Sequence, residues 1–410
     1  MGGRGRVVAA VLVVASLLGV PAGAGDWARA QLPAPTGPFG VGTVAVPLTD
    51  DAREDPWVPG QPRRLMVSVW YPAGPGGERA RYMVPEAAAH FGGPAGAGLV
   101  NYGVTPGSTD WAGIGVRARE GAPVAAGGRR PVVLYSAGLG DPRTWGTALV
   151  ADLASRGYLV VTVDHTYEAS EVAFPGRPLA TSVLPGLLGQ PGLDVGALLR
   201  KAVDVRVADT RFVLDRLARL GEVPGLPAGL ADALDLTRIG MAGHSAGGFT
   251  ALQTMHDDPR IAAGVDLDGQ LHFPGPDGRT GVYLSTVAED GLDRPFLLLG
   301  TRDDGSGDYH HQPGWAALWQ HSHGWHADFT MEGSRHGSYT DAEPLLPQLA
   351  PQGALDVGRL EADIGGVPAD RAEDATRSYV AAFFDRWLRG RDTRLLDGPS
   401  PRFPEMTWTP

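Results

Sequence analysis

Gly243-His244-Ser245-Ala246-Gly247 decides the reading of this chain. Before it, Leu236-Thr237-Arg238-Ile239-Gly240-Met241-Ala242 has the apolar character of a short buried strand. After it, Gly248-Phe249-Thr250-Ala251-Leu252-Gln253-Thr254-Met255 reads as a helix. G-x-S-x-G between a strand and a helix is a nucleophile elbow. The turn is so tight that a Cβ two residues either side of the serine would collide with its neighbours, hence the two glycines. Ser245 is then held in a strained conformation, its Oγ exposed above the sheet and close to a positive helix N-terminus.

Outward from the elbow, strands and helices alternate. Pro131–Ser136, Tyr158–Val163, Arg260–Val265, Pro295–Gly300 and Ala327–Met331 read as strands. Trp145–Ser155, Trp315–His321 and Arg371–Leu388 read as helices. A longer helix is expected over Val195–Leu220, where Leu199, Val203, Val207, Leu214 and Leu217 keep helical spacing. Gly42–Leu48 and Arg64–Tyr71 alternate as two antiparallel strands joined by a polar, proline-rich connection. The pattern predicts an α/β domain with a mostly parallel sheet covered on both faces by helices. One domain is expected over residues 39–410, with insertions at about 74–128, 166–194 and 269–294. The first reads as a surface excursion, the other two as candidate caps over the site.

The chain has 410 residues, with 59 glycines, 35 prolines and 43% hydrophobic residues, ample for a large core. A net charge of −11 argues against nucleic acid as a partner. Arg4 and Arg6, an apolar run from Val7 to Val20, and Ala22-Gly23-Ala24 together read as a secretory signal over residues 1–24. Residues 25–38 follow as a flexible leader. The expectation is a secreted protein, the alternative an uncleaved N-terminal segment anchoring it to the cell envelope. With no cysteine in the chain, thiolate chemistry, disulfides and lipid attachment through cysteine are excluded.

A serine hydroxyl needs a base, and the base needs an orienting carboxylate. In elbow proteins the chain order is Ser, acid, His. Among the histidines after Ser245, His336 is best placed, in a loop at the C-terminal end of the last strand. His256 lies on the elbow helix, and His244 reads as a packed neighbour of the serine. Two sites compete for the acid. Asp268 follows the strand after the elbow, and Asp303 with Asp304 follows the next one. Spacing alone divides them evenly. The oxyanion hole needs two backbone N–H groups: one from Ala246, the other from the loop Ser136-Ala137-Gly138-Leu139-Gly140, with Leu139 as the candidate.

Several segments together resemble one family, the platelet-activating factor acetylhydrolases of the plasma and intracellular type II kind, with their bacterial lipase-like relatives. They are Val67-Ser68-Val69-Trp70-Tyr71-Pro72, Tyr135-Ser136-Ala137-Gly138-Leu139-Gly140, Leu153-Ala154-Ser155-Arg156-Gly157-Tyr158 with Val163-Asp164-His165, Ala208 to Asp215, the elbow with Gly248, and Gly333-Ser334-Arg335-His336. The resemblance implies an α/β-hydrolase fold, no cofactor, and hydrolysis of short or oxidised sn-2 acyl esters of phospholipids. It implies Ser245 as nucleophile, His336 as base, and Leu139 and Ala246 as oxyanion donors. It also decides the acid: the family's follows the strand right after the elbow, in a segment matching Leu267-Asp268. Two residues depart from the family pattern. Ala137 stands where histidine is usual and Ala246 where phenylalanine is usual, so the pocket wall has room for a bulkier acyl group.

The same triad would serve a cutinase, polyester hydrolase, lipase or general carboxylesterase. An acyltransferase would need an alcohol acceptor. A catalytically dead binding scaffold fits least, since every needed residue type is present. His310, His311, His321, His323 and His326 form a histidine-rich patch, but no H-E-x-x-H or thiolate accompanies it, so no metal is expected. Asp303, Asp304 and Asp308 lack EF-hand spacing. Trp315, Trp319 and Trp325 read as core and cap packing, with transient contact at a lipid interface a further role if the substrate is a lipid. The expected partner is a small-molecule or lipid ester; no obligate protein partner is implied.

Overall fold

The computed structural model describes residues 27–96, 102–302 and 307–410. The expected signal, at 1–24, lies outside them. An eleven-stranded sheet runs through the molecule. Its principal strands are β1 (Gly40–Glu54), β2 (Pro62–Ala73), β3 (Arg130–Ser136), β4 (Leu159–Asp164), β5 (Leu234–His244), β6 (Ile261–Leu267), β7 (Phe296–Thr301), β8 (His326–Met331) and β9 (Met406–Thr409). They lie in the order β9-β8-β7-β6-β5-β3-β4-β2-β1, and two short strands, Arg119–Glu120 and Glu78–Arg79, extend the β1 edge. β3 to β8 pair in parallel, while β1, β2 and β9 join antiparallel.

The parallel strands are buried on both faces, and their side chains alternate between two cores. Val133, Tyr135, Leu297 and Leu299 pack on the face covered by α1 (Thr147–Ser155) and a C-terminal helix, Ala369–Arg389. Val132, Leu134, Phe296 and Leu298 pack on the other, beneath α2 (Val195–Leu217), α3 (Ala246–Asp257) and α4 (Pro313–His321). Each fully buried leucine contributes about 1.5–3 kcal/mol of transfer free energy. This is the mostly parallel, helix-covered sheet expected of an α/β-hydrolase fold.

Two expectations are corrected. The described residues of 74–128 are not a surface excursion. Their aromatic side chains enter the first core: Phe91 meets Trp111 edge-on at 4.8 Å and Trp145 at 5.2 Å, and the Tyr82 hydroxyl donates to Asp341 at 2.9 Å. The segment lacks periodicity because its anchors are set among glycines and prolines rather than on one regular element. The described part of the 25–38 leader is docked rather than loose. Ala28 and Leu32 are buried, and Asp152 Oδ1 accepts from both Thr36 N (2.7 Å) and Thr36 Oγ1 (2.8 Å). Among the described residues, no helix is long and apolar enough to cross a membrane.

Candidate active site

The C-terminal ends of β3, β5, β6 and β8 converge on Ser245. That residue caps α3 with φ 57° and ψ −123°, a conformation L-residues avoid, and its N–H donates to Leu267 O at 2.8 Å. The glycines account for themselves by distance. A Cβ on Gly243 would lie 2.2 Å from Gly247 C, and one on Gly247 1.9 Å from Ser136 O. A third glycine, Gly248, belongs to the motif too, because a Cβ there would lie 1.9 Å from Asp266 Oδ1.

Asp268 follows β6 with φ 59°, the second strained non-glycine at this end of the sheet. It is buried, and its Oδ2 lies 2.5 Å from Nδ1 of His336. Since a carboxylate accepts, the imidazole carries its proton on Nδ1 and leaves Nε2 as the basic nitrogen. Thr301, at the end of β7, holds the acid from behind: its N–H and hydroxyl each reach Asp268 Oδ1 at 3.0 Å. His336 opens a short helical turn, His336–Tyr339, and its side chain is 43% exposed, so the ring faces a reachable space.

His244 bridges the elbow and the base. It is buried, its Nε2–H donates to His336 O at 2.9 Å, and the two rings stand 4.4 Å apart. Burial, then the neighbouring His336, lowers its pKa, which keeps it neutral and structural. His256 faces away and binds Asp257 and Asp290 at 2.6 and 3.0 Å.

Ala246 opens α3, so its N–H has no acceptor within the helix. Leu139 lies in the loop after β3, where Gly140 turns at φ 83°. Gly138 N–H is taken by Asp141 Oδ2 at 3.1 Å. The structure thus brings Ser245, Asp268, His336, Ala246 and Leu139 to one end of the sheet. Asp303 and Asp304, the other candidates for the acid, lie outside the described residues.

Sequence reasoning missed three supports. Asp266 is fully buried below the elbow, accepting from Gly269 N (2.8 Å) and Trp315 Nε1 (3.1 Å). Desolvation pushes its carboxyl up to about 8, with Asp268 adding to the rise. A carboxylate inside the otherwise apolar strand Ile261–Leu267 is the available signal for Asp266. The second support is Arg206, considered below. The third is a buried serine–histidine–carboxylate chain, Ser136 Oγ to His165 Nε2 (3.1 Å) and His165 Nδ1 to Asp209 Oδ2 (2.9 Å). These residues are 1%, 2% and 0% exposed, so no substrate reaches them. Burial, then Arg206, lowers the His165 pKa. Burial alone would raise Asp209, but Arg63, with the His165 hydrogen bond, holds it well below the carboxylate range. All three stand in segments that carry the family resemblance.

The histidine patch is dispersed. His321 Nδ1 donates to Ala288 O and the His326 ring stacks on Phe296 at 5.0 Å. Among the described residues, no cluster of three or more histidines and carboxylates is placed to hold a metal ion. Trp315 is buried in the core and Trp319 stacks on Tyr309 at 3.9 Å.

Residues 25–175 match the family described as platelet-activating factor acetylhydrolase, isoform II. A protein of Arthroderma benhamiae named probable 1-alkyl-2-acetylglycerophosphocholine esterase is 28% identical over 395 residues, 92% of this chain and 93% of its own. The platelet-activating factor acetylhydrolase of Cavia porcellus is 26% identical over 183 residues, 40% of each chain. Among solved structures, the chain is similar to a ferulic acid esterase from Streptomyces cinnamoneus, at 36% identity and a TM-score of 0.75, over 93% of this chain and 99% of that one.

Proposed function

From the premise that the chain belongs to the platelet-activating factor acetylhydrolase family of α/β-hydrolase serine esterases, we propose that Ser245, His336 and Asp268 form its catalytic triad. Ser245 Oγ attacks the ester carbonyl while His336 Nε2 takes its proton. The N–H groups of Leu139 and Ala246 stabilise the tetrahedral oxyanion, and the protonated imidazole, held by Asp268, gives its proton to the leaving alcohol. Water, activated by the same nitrogen, then hydrolyses the acyl-enzyme and frees Ser245. The observation that carries this reading is the 2.5 Å contact between His336 Nδ1 and Asp268 Oδ2 beside the strained elbow.

The substrate is proposed to be a lipid-like carboxylic ester, as the printed names of the curated relatives suggest. A second reading is an ester of a bulky aromatic acid. It is favoured by the small side chains of Ala137 and Ala246 beside the oxyanion donors, and by the ferulic acid esterase neighbour. The chain is further proposed to act outside the cell, released by cleavage near Ala24. Exposed Leu188, Val282 and Tyr283, on the two later insertions, support brief contact with a lipid surface.

Hydrolysis of p-nitrophenyl acetate through palmitate, of methyl ferulate and of a 1-alkyl-2-acetylglycerophosphocholine tests both points. Ser245→Ala should abolish all turnover; activity in that variant refutes the mechanism. Preference for the phospholipid supports the first substrate reading, and preference for the ferulate supports the second.

A further inference from the structure

Arg206 projects from α2 into the interior, 1% exposed, and all five of its N–H donors are used. Nε donates to Glu168 Oε1 at 2.7 Å, and Nη2 makes a shorter bond to the same oxygen. The remaining three go to one loop. Nη1 donates to Ala137 O at 2.6 Å and to Ser136 Oγ at 3.2 Å, and Nη2 donates to Gly138 O at 2.7 Å. A buried arginine needs a countercharge, which Glu168 supplies. The other three donors of Arg206 need acceptors as well, and all three find them on the loop that carries the candidate oxyanion donor.

The consequence follows from peptide geometry. In a trans peptide the C=O and the following N–H point in opposite directions. Gly138 O turned toward Arg206 therefore turns Leu139 N–H away from α2. The neighbouring N–H, that of Gly138, is already occupied by Asp141. Among the described residues, Leu139 N–H has no acceptor inside the protein, as a donor awaiting an oxyanion requires. The start of the loop is fixed by the same side chain. With Arg206 donating to Ser136 Oγ, the hydroxyl proton points to His165 Nε2, and His165 Nδ1–H points to Asp209. The buried serine–histidine–carboxylate chain is then an anchor for the loop.

We propose that Arg206, seated by Glu168, is a positioning residue that sets the Gly138–Leu139 peptide so that its N–H serves the oxyanion hole. The proposal rests on the reading of Ser245 and Leu139 given above. Losing one oxyanion donor outright lowers kcat about 10²–10³-fold. A donor that is misdirected rather than deleted should cost roughly 10–100-fold.

The test compares Arg206→Lys and Glu168→Gln with the wild type and with Leu298→Ala, a variant of a buried core residue on β7. Lysine keeps the charge but cannot hold two carbonyls and Glu168 in one plane. Glu168→Gln leaves the arginine in place with its seat weakened, so it serves if Arg206→Lys does not fold. The readouts are kcat, KM, and the Kd of an alkylboronic acid, which adds to Ser245 and places an oxyanion in the hole. The expected result is kcat lowered 10–100-fold with KM within about twofold, and boronate affinity lowered by a similar factor. In Leu298→Ala both should stay near wild type at a temperature where it is folded. Unchanged kcat and boronate affinity in folded Arg206→Lys and Glu168→Gln, or losses no larger than in Leu298→Ala, would overturn the proposal. Turnover by Ser245→Ala would instead overturn the reading of the site itself.

Discussion

Replacing Gly247 by alanine tests how the elbow and the oxyanion loop are coupled. The alanine Cβ would start 1.9 Å from Ser136 O and 2.6 Å from Ala137 O, both backbone atoms. Folded proteins essentially never bring these atoms closer than 3.0 Å, so the loop or helix α3 must retreat by more than 1 Å. Neither moves freely. The loop is held by Arg206 through two carbonyls, and Ser245 is tied to Leu267 O. Overpacking of this kind costs about 1–3 kcal/mol of stability. A shift of about 1 Å between nucleophile and oxyanion donors costs on the order of 10²-fold in rate. The variant should therefore melt several degrees lower and lose about 100-fold in kcat, with the loss persisting at temperatures where circular dichroism shows it fully folded. The assay is p-nitrophenyl butyrate hydrolysis beside a melting curve. Full activity in the folded variant, within threefold of wild type, would refute the claim that the two walls of the site are in steric register.

Other expectations follow from the same geometry. Asp268→Asn replaces the acceptor for His336 Nδ1–H and should lower kcat by about 10⁴-fold with little change in KM, read from steady-state kinetics; a loss under tenfold would contradict it. Asp266 binds its proton more tightly folded, at about 8, than at its ordinary value near 3.8. Its contribution is complete below about pH 4 and lost as pH rises through about 8, as for Asp328 and Glu343, both also held near 8 by burial. Stability should thus fall over that interval by up to about 1.4 kcal/mol per pH unit per group, and the melting temperature with it. Asp266→Asn should flatten the profile, and a melting temperature rising from pH 5 to 8 would refute this. Ala246→Phe should shift the acyl preference toward acetate; an unchanged ratio of long to short p-nitrophenyl esters would show that this wall does not set specificity.

Much of this site is legible in the residues because its constraints are local. The elbow glycines answer to contacts with Gly247, Ser136 and Asp266, and the strand that leads into them ends on a buried apolar run over residues 239–242. The choice of Asp268 over the later acids is not local. It depends on how β6 and β7 lie side by side, and spacing along the chain carries no such information. The buried polar residues are hidden for a related reason. Arg206 and Asp209 stand on the buried face of α2, a helix that carries other charged residues, so only the packed structure shows that one binds the oxyanion loop and the other Arg63 and His165. Residues 74–128 escape a periodicity reading because their anchors, Tyr82, Phe91 and Trp111, are scattered: Phe91 ends a seven-residue helix, Trp111 opens a three-residue one and Tyr82 stands outside both. Strand β9 has four residues and, among the described residues, pairs with β8 alone, too little to stand out against neighbouring prolines.

The mechanism stands or falls on Ser245 as the nucleophile. Reaction of the purified protein with a p-nitrophenyl alkylphosphonate tests it directly. One equivalent of p-nitrophenol should be released per chain, with esterase activity lost in step and a single phosphonylated peptide carrying Ser245. Activity that survives full phosphonylation, or an adduct on another residue that alone tracks its loss, would contradict it.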